Sequence, residues 1–517
     1  MRPVRVNRYT LYLVLLMIIF VAVLAGCSGG SGGDSPEAAG GSSGGGGSGT
    51  DESALAVTST IPESGAVDVP TDTTIEIAFS EDVEPETVTL STIILRSGNA
   101  GIPGKVTCTE ARVVFTPAYP LSQSAVYAAR VTTGVKDTAG IPLVSDYTWE
   151  FTTLGQSAPS AQSKWAAAAA GESHVLAVRE DGTLWAWGHN SSGQLGDGTN
   201  TSRNVPVQVG RGADWEVVSA GRIASLAIRT NGTLWAWGEG MLGDGLSTRV
   251  RVLPIQIGSG DDWLYVDIGP TYNFVMALRE HVAIWAWGEN TSSLLGDPGV
   301  IQNSLVPMPI GEDDDWEMLS TGKDHVTAIK TDGTLWAWGC NIHGQLGDGM
   351  GGDLEDDHQV SAPEQIGGDS DWYFVSNGNQ YSLAVKEDGS LRAWGHNNYG
   401  QLGDGTQISR NIPVRVGGDP GWKIVSAGWD HSAGIREDGM LFTWGSNSHG
   451  QLGDGTTTLK NSPVQVGIGK RWLDVATGKY FTLAIEEDGT LWAWGINDVG
   501  QLGDGTREER HTPVRVQ

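Results

Sequence analysis

The residues of this 517-residue chain whose types and spacing invite chemistry fall into three sets. Asp430, His431 and Ser432 hold the side chains of a nucleophilic triad. As consecutive residues they diverge and cannot form a relay. The acidic stretch around Asp353 to His358 has oxygens enough for Ca²⁺, but its spacing fits no calcium loop, and a solvated acidic loop is expected instead. The third set is aromatic. LWAWGHNSSGQLGDGT, from Leu184, packs two tryptophans and four glycines into sixteen residues. Tryptophan is a common anchor for partners, so this stretch either binds something or builds the scaffold. No GxSxG, HExxH, Walker A or dinucleotide fingerprint occurs, and the expectation is a chain without catalytic residues, metal or cofactor. Cys27, Cys108 and Cys340 lie in separate parts of the chain and outline neither a disulfide framework nor a CxxC pair.

The elements that position these residues follow from repetition. The WG dipeptide recurs at Trp187, Trp237, Trp287, Trp338, Trp394, Trp444 and Trp494, at intervals of 50, 50, 51, 56, 50 and 50. A leading series runs through Trp165, Trp215, Trp263, Trp316, Trp372, Trp422 and Trp472, and a third through Pro206, Pro254, Pro309, Pro363, Pro413, Pro463 and Pro513. Within one unit HVLAV alternates, Asp181-Gly182 suits a tight hairpin, and TLWAWG returns as its partner. A Gly-rich loop then crosses to VPVQV, where Pro206 fits a strand start, and a turn leads to WEVVSAG. Four short strands repeated seven times predict a β-propeller. The A-G-x-x-H-S-L-A-like turn, D-G-T-L-W-A-W-G and N-x-x-G-Q-L-G-D-G-T resemble the RCC1 (regulator of chromosome condensation) repeat family over all seven units. The resemblance implies a seven-bladed propeller, a fold shared with a secreted β-lactamase inhibitor protein.

Upstream of the repeats the chain reads as an envelope protein. Arg2, Arg5 and Arg8 precede an apolar run from Leu11 to Leu24, the pattern of a signal peptide. The run ends in LAGC, which resembles the lipobox of bacterial lipoproteins and implies lipidation of Cys27. Ser28 in place of Asp implies delivery to the outer membrane in a Gram-negative cell. Gly and Ser then dominate to about Thr50, a flexible tether reaching roughly 25–30 Å. TIEIAF, ARVVFTP, VYAARVTT and YTWEFTT alternate with period two, predicting a β-sandwich in which Trp149 is core. This segment resembles the SbsA-type bacterial Ig-like domain. The expected architecture is all-β: signal peptide 1–26, tether 27–53, Ig-like sandwich 54–154, linker 155–164, and an RCC1-type seven-bladed β-propeller 165–517.

A residue repeated in every blade describes packing, so LWAWG and the GDG turns are expected to be structural. Binding is expected where the units differ, in the turn before each HVLAV-like strand. The candidates are Glu172, His174, Arg222, Tyr272, Lys323, His325, Asn379, Tyr381, Trp429, His431, Lys479 and Tyr480. Resemblance to the inhibitor implies that these turns cluster around the axis on one face. The histidines carry an alternative reading, as partners of the local backbone. Trp429 belongs to neither tryptophan series. The turns GADW, GDDW, EDDDW and GDSDW form an acidic rim that either attracts basic partners or only keeps the surface wet.

With 61 acidic against 32 basic residues the net charge is −29, which repels phosphate backbones and argues against nucleic acid. The nucleotide exchange on Ran that the eukaryotic family name implies is not expected of a secreted acidic lipoprotein, because fold does not set function. The expected function is a non-catalytic, lipid-anchored envelope module binding a protein or envelope glycan. An inhibitor of a secreted hydrolase, an enzyme acting on polysaccharide through unlike blade loops, and a structural spacer are the alternatives.

Overall fold

The computed structural model describes residues 55–517 except 68, 70–72, 99, 119–120, 122–124, 154–163, 248, 272–273, 281–282, 301, 353–357 and 419. Cys27, the signal peptide and the tether lie outside the described residues, as do Tyr272 and the acidic residues 353–357. The chain divides into two compact units at residues 158 and 159.

The first unit is a sandwich of two four-stranded sheets. One orders Val57–Ile61, Ile75–Phe79, Arg112–Pro117 and Gly104–Thr109; the other orders Ala100–Gly101, Ile93–Ser97, Val126–Val131 and Tyr147–Thr152. Alternate residues turn inward, so Ile75, Ile77, Val113, Phe115, Leu95, Tyr127 and Phe151 form one core. Trp149 is part of it, its Nε1 donating to Pro62 O at 3.0 Å.

The second unit consists of seven antiparallel sheets, each made of four consecutive strands. In blade 1 these are Trp165–Ala170, His174–Arg179, Leu184–Gly188 and Arg203–Gln208, and blades 2 to 7 begin at Trp215, Trp263, Trp316, Trp372, Trp422 and Trp472. The first strands of neighbouring blades touch all the way round, Trp472–Thr477 returning to Trp165–Ala170. First strands are therefore innermost, and blades 7 and 1 close the ring without sharing a sheet. Second strands are packed on both faces, and His174–Arg179 is buried along its whole length.

The two ends of the propeller differ in kind. Turns between first and second strands share a face with the Gly-rich crossings: His189 N donates to Ser173 O at 2.9 Å. We call this the turn face. The Asp-Gly hairpins share the opposite, hairpin face with the turns between blades, Trp215 N donating to Gly182 O at 3.0 Å.

The prolines correct one expectation. Pro206 and its counterparts lie within the outermost strands and not at their starts, beside the register shift between Ala186 and Gly188. In blade 3 the equivalent residue is Pro307, not Pro309, because Gly288 pairs with Ser304 as Gly188 pairs with Arg203. An outermost strand has no further strand beyond it in its sheet, so proline there breaks no ladder bond and blocks edge-to-edge association.

Candidate functional site

The repeated aromatic motif joins neighbouring blades. Trp237 Nε1 donates to Gln194 O in the crossing loop of blade 1 at 2.9 Å. Gly196 of that loop lies flat on the Trp237 ring with φ +70°, and a Cβ there would stand 2.7 Å from the indole nitrogen. The same bond links Trp394 to Gln345 O, Trp444 to Gln401 O, Trp494 to Gln451 O and, across the closing junction, Trp187 to Gln501 O. In blade 2 the crossing shortens to EGMLGDG, and Trp287 Nε1 is buried without a partner among the described residues. The loop itself is pinned from within. Asn190 Oδ1 accepts from Leu195 N and its Nδ2 donates to Asp197 Oδ1, which also accepts from Thr199 N at 3.0 Å.

The other tryptophans hold cations. Trp165 and Trp185 flank the Arg179 guanidinium, 4.3 and 4.6 Å from their centroids. Arg229, Arg279 and Lys330 repeat the arrangement, and Phe442 replaces one ring around Arg436. The acidic turns supply the counter-ions: Asp262 for Arg279, Asp313 and Asp315 for Lys330 at 2.7 and 3.0 Å, Asp369 and Asp371 for Lys386 at 2.6 and 2.8 Å. Much of the expected acidic rim is thus one half of an internal pairing.

Four candidates do not reach the surface. His174, His325, His431 and Tyr381 are 0% exposed. Ser225 Oγ donates to Gln194 O at 2.7 Å, so its lone pair faces His174 Nε2 at 2.8 Å and the imidazole carries its proton on Nε2. His325 meets Ser382 and His431 meets Thr482 in the same way, and Tyr381 Oη donates to His431 O at 2.6 Å. Burial holds the His174 and His431 imidazoles down at about 3, so they are neutral. These side chains join blades 1, 4, 5 and 6 each to the next one. Asp430, His431 and Ser432 accordingly part company: His431 faces Thr482 while Ser432 Oγ donates to Gln401 O.

The remaining described candidates do meet around the axis of the turn face. Glu172 accepts from Lys479 Nζ at 2.7 Å and pairs with Arg222 Nε at 3.2 Å, tying blades 7, 1 and 2 together. The Lys479 ammonium sits 3.9 Å from the Trp429 centroid and 5.5 Å from that of Tyr480. Trp429 and Tyr480 stack at 6.4 Å with 26° between planes, both half-buried. Lys323 N donates to Asn379 O at 3.2 Å, which brings blades 4 and 5 into the same ring of turns. Two members escaped the sequence reading. His449, in the crossing loop of blade 6, extends the aromatic run at 5.2 Å from Tyr480 and bonds Glu509 at 2.7 Å. Asp430, read only as part of a false triad, is pushed up to about 6 by burial, against the pull of Lys323 and Lys479. His449 was visible only as one variable position of N-x-x-G; nothing local marks it as a neighbour of Tyr480.

Comparison with known proteins places these features. The profile of the RCC1-like domain matches residues 148–473, RCC1 repeats match 472–501 and 488–517, and the bacterial Ig-like domain matches 51–153. The ultraviolet-B receptor UVR8 of Arabidopsis thaliana is 31% identical over 251 residues, covering 47% of this chain and 56% of the receptor. The chain thus spans little more than half of that relative. Human WBSCR16 has a similar fold, with TM-score 0.58 and 21% identity over 65% of this chain and 94% of that one. Yeast RCC1 (Prp20), solved bound to Kap60, gives TM-score 0.57 and 22% identity over 64% and 83%.

Proposed function

The chain belongs to the RCC1-like domain family, and from that premise we propose that it is a non-catalytic protein-binding module, docking its partner on the turn face at Trp429, Tyr480 and Lys479. One observation carries the reading. The repeated tryptophans and buried histidines are occupied in blade junctions, whereas Trp429 and Tyr480 form a stacked, half-exposed pair that joins no repeated junction. Aromatic rings beside charged groups in a water-accessible patch are the chemistry of interface anchors. The solved complex of a yeast family member with Kap60 supports a binding role for the fold. The nucleotide-exchange activity of the family's namesake is not carried over. The leader ending in LAGC supports presentation of the module from the bacterial envelope on a lipid at Cys27.

Capture from envelope extracts tests this reading. The full chain is expected to retain a partner that a Trp429→Ala, Tyr480→Ala variant loses; equal recovery by both counts against the turn face. Turnover of a polysaccharide by the purified chain would overturn the non-catalytic assignment. Release of a Cys27→Ser variant from the membrane fraction checks the anchor.

A further inference from the structure

We propose that the turn face takes an acidic peptide segment of its partner, whose carboxylates pair with Lys323 and Arg222 while the rest of the segment lies against Trp429 and Tyr480. This rests on the reading of the turn face as the docking surface and adds the chemistry of what docks.

The argument is one of unequal charge matching. On the hairpin face the tryptophan-flanked lysines are heavily quenched: Lys330 and Lys386 each hold two aspartates within 3.0 Å. Around the axis of the turn face the ratio reverses. Arg222 and Lys479 share the single carboxylate of Glu172, and Lys323 has no salt bridge among the described residues. The acid next to Lys323 in sequence is turned away, Asp324 being buried and accepting from Gln345 Nε2 at 3.1 Å. Asp430 adds a second carboxyl close to Lys323 and Lys479, so three cations stand against two carboxyls. Arg222 keeps 56% of its side chain exposed. A chain of net charge −29 repels an acidic peptide over most of its surface. At the axis such a peptide finds cations in excess, with two aromatic faces beside them to exclude water.

The test uses the full chain and a fluorescein-labelled decaglutamate peptide, read by anisotropy at low salt. Binding is expected, weakened at least tenfold by Lys323→Ala and by Trp429→Ala and unchanged by Arg471→Ala, an exposed residue of the hairpin side. Circular dichroism and the unfolding midpoint verify that each variant folds. Absence of decaglutamate binding overturns the proposal, as does binding that survives Lys323→Ala or falls equally with Arg471→Ala. Oligogalacturonate bound with the same residue dependence while decaglutamate is not would assign the face to an acidic glycan and overturn the peptide. If the envelope partner is lost on Trp429→Ala, Tyr480→Ala yet decaglutamate does not bind, the docking face stands and its acidic specificity falls.

Discussion

His174 Nε2 and Ser225 Oγ, 51 residues apart in sequence and 2.8 Å apart in space, are matched halves of one blade junction. The match extends round the ring. Where a second strand opens with His or Tyr, the next blade offers a hydroxyl: His325 meets Ser382, Tyr381 meets Ser432 and His431 meets Thr482. Where it opens with an apolar residue, the equivalent position of the next blade is valine, as in Ala224 with Val275, Phe274 with Val326 and Phe481 with Val175. All of these residues are buried.

Breaking one half of a matched pair is expected to cost more than replacing both. Ser225→Val leaves His174 Nε2 buried without an acceptor and removes a donor from Gln194 O, a loss of about 1–3 kcal/mol. Adding His174→Phe recreates the apolar pair of the closing junction. A double-mutant cycle by urea unfolding of the propeller should show a favourable coupling on the order of 0.5–3 kcal/mol. Strictly additive losses would show that the two side chains do not act together.

The same pair makes stability depend on pH. His174 titrates near 3 when folded and near 6.5 when unfolded, so the unfolded state binds the extra proton between these values. Its contribution is complete above pH 6.5 and is lost as pH falls, roughly 2–3 kcal/mol by pH 4.5. Asp430 and Asp474, both pushed up to about 6 by burial, act with the opposite sign and gain as pH falls below 6. Comparing unfolding midpoints of the parent and the His174→Phe, Ser225→Val variant cancels the aspartates. The parent should lose ground to the variant from pH 6.5 to 4.5; a constant difference would mean that His174 is protonated in the fold.

Two glycines of positive φ separate strain from crowding. Gly196 and Gly210 have φ +70° and +63°, but only Gly196 lies on a ring, a Cβ at Gly210 meeting nothing within 4 Å. Alanine should cost about 1 kcal/mol at both for the backbone, and roughly 1–3 kcal/mol more at position 196, where it pushes Trp237 away from Gln194 O. Equal losses in thermal unfolding would refute the glycine-on-indole junction.

Tryptophans of the two kinds should respond differently to truncation. Trp237 is 0% exposed and spans a junction, so Trp237→Ala is expected to cost roughly 3–5 kcal/mol. Trp429 is half-buried at the surface, and its replacement should cost about 1 kcal/mol or less while abolishing partner binding. A Trp429→Ala propeller as unstable as Trp237→Ala would make Trp429 a scaffold residue.

What was legible in the sequence follows from periodicity. The seven units, the four strands of each, and the structural role of LWAWG and GDG all recur, and recurrence reports packing. The site was legible only in part, because variation between blades has two sources. Trp429 differs from its counterparts and is only half-buried. His174 and Tyr381 differ from theirs because the following blade differs too, one repeat away. That compensation is written in the sequence as a pairing of His or Tyr with Ser or Thr, but a comparison of single positions does not reveal it. Asp430 and His449 come from different segments and meet Lys479 and Tyr480 only through the curvature of the ring.

The innermost position of the strand Trp165–Ala170 has a mechanical consequence. Chain arriving from the N-terminal side joins the ring at this strand. Any tension carried along that chain is delivered at the hub of the disc and not at its circumference. Trp165 N bonds Gly489 O of blade 7, and Ala168 and Ala170 pack with Phe481 and Leu483 across the closing junction. Drawing the strand out would therefore load the junction between blades 7 and 1 directly, where a pull on an outermost strand would act on the edge of one blade. Resistance of this seam to force is then governed by how slowly it yields.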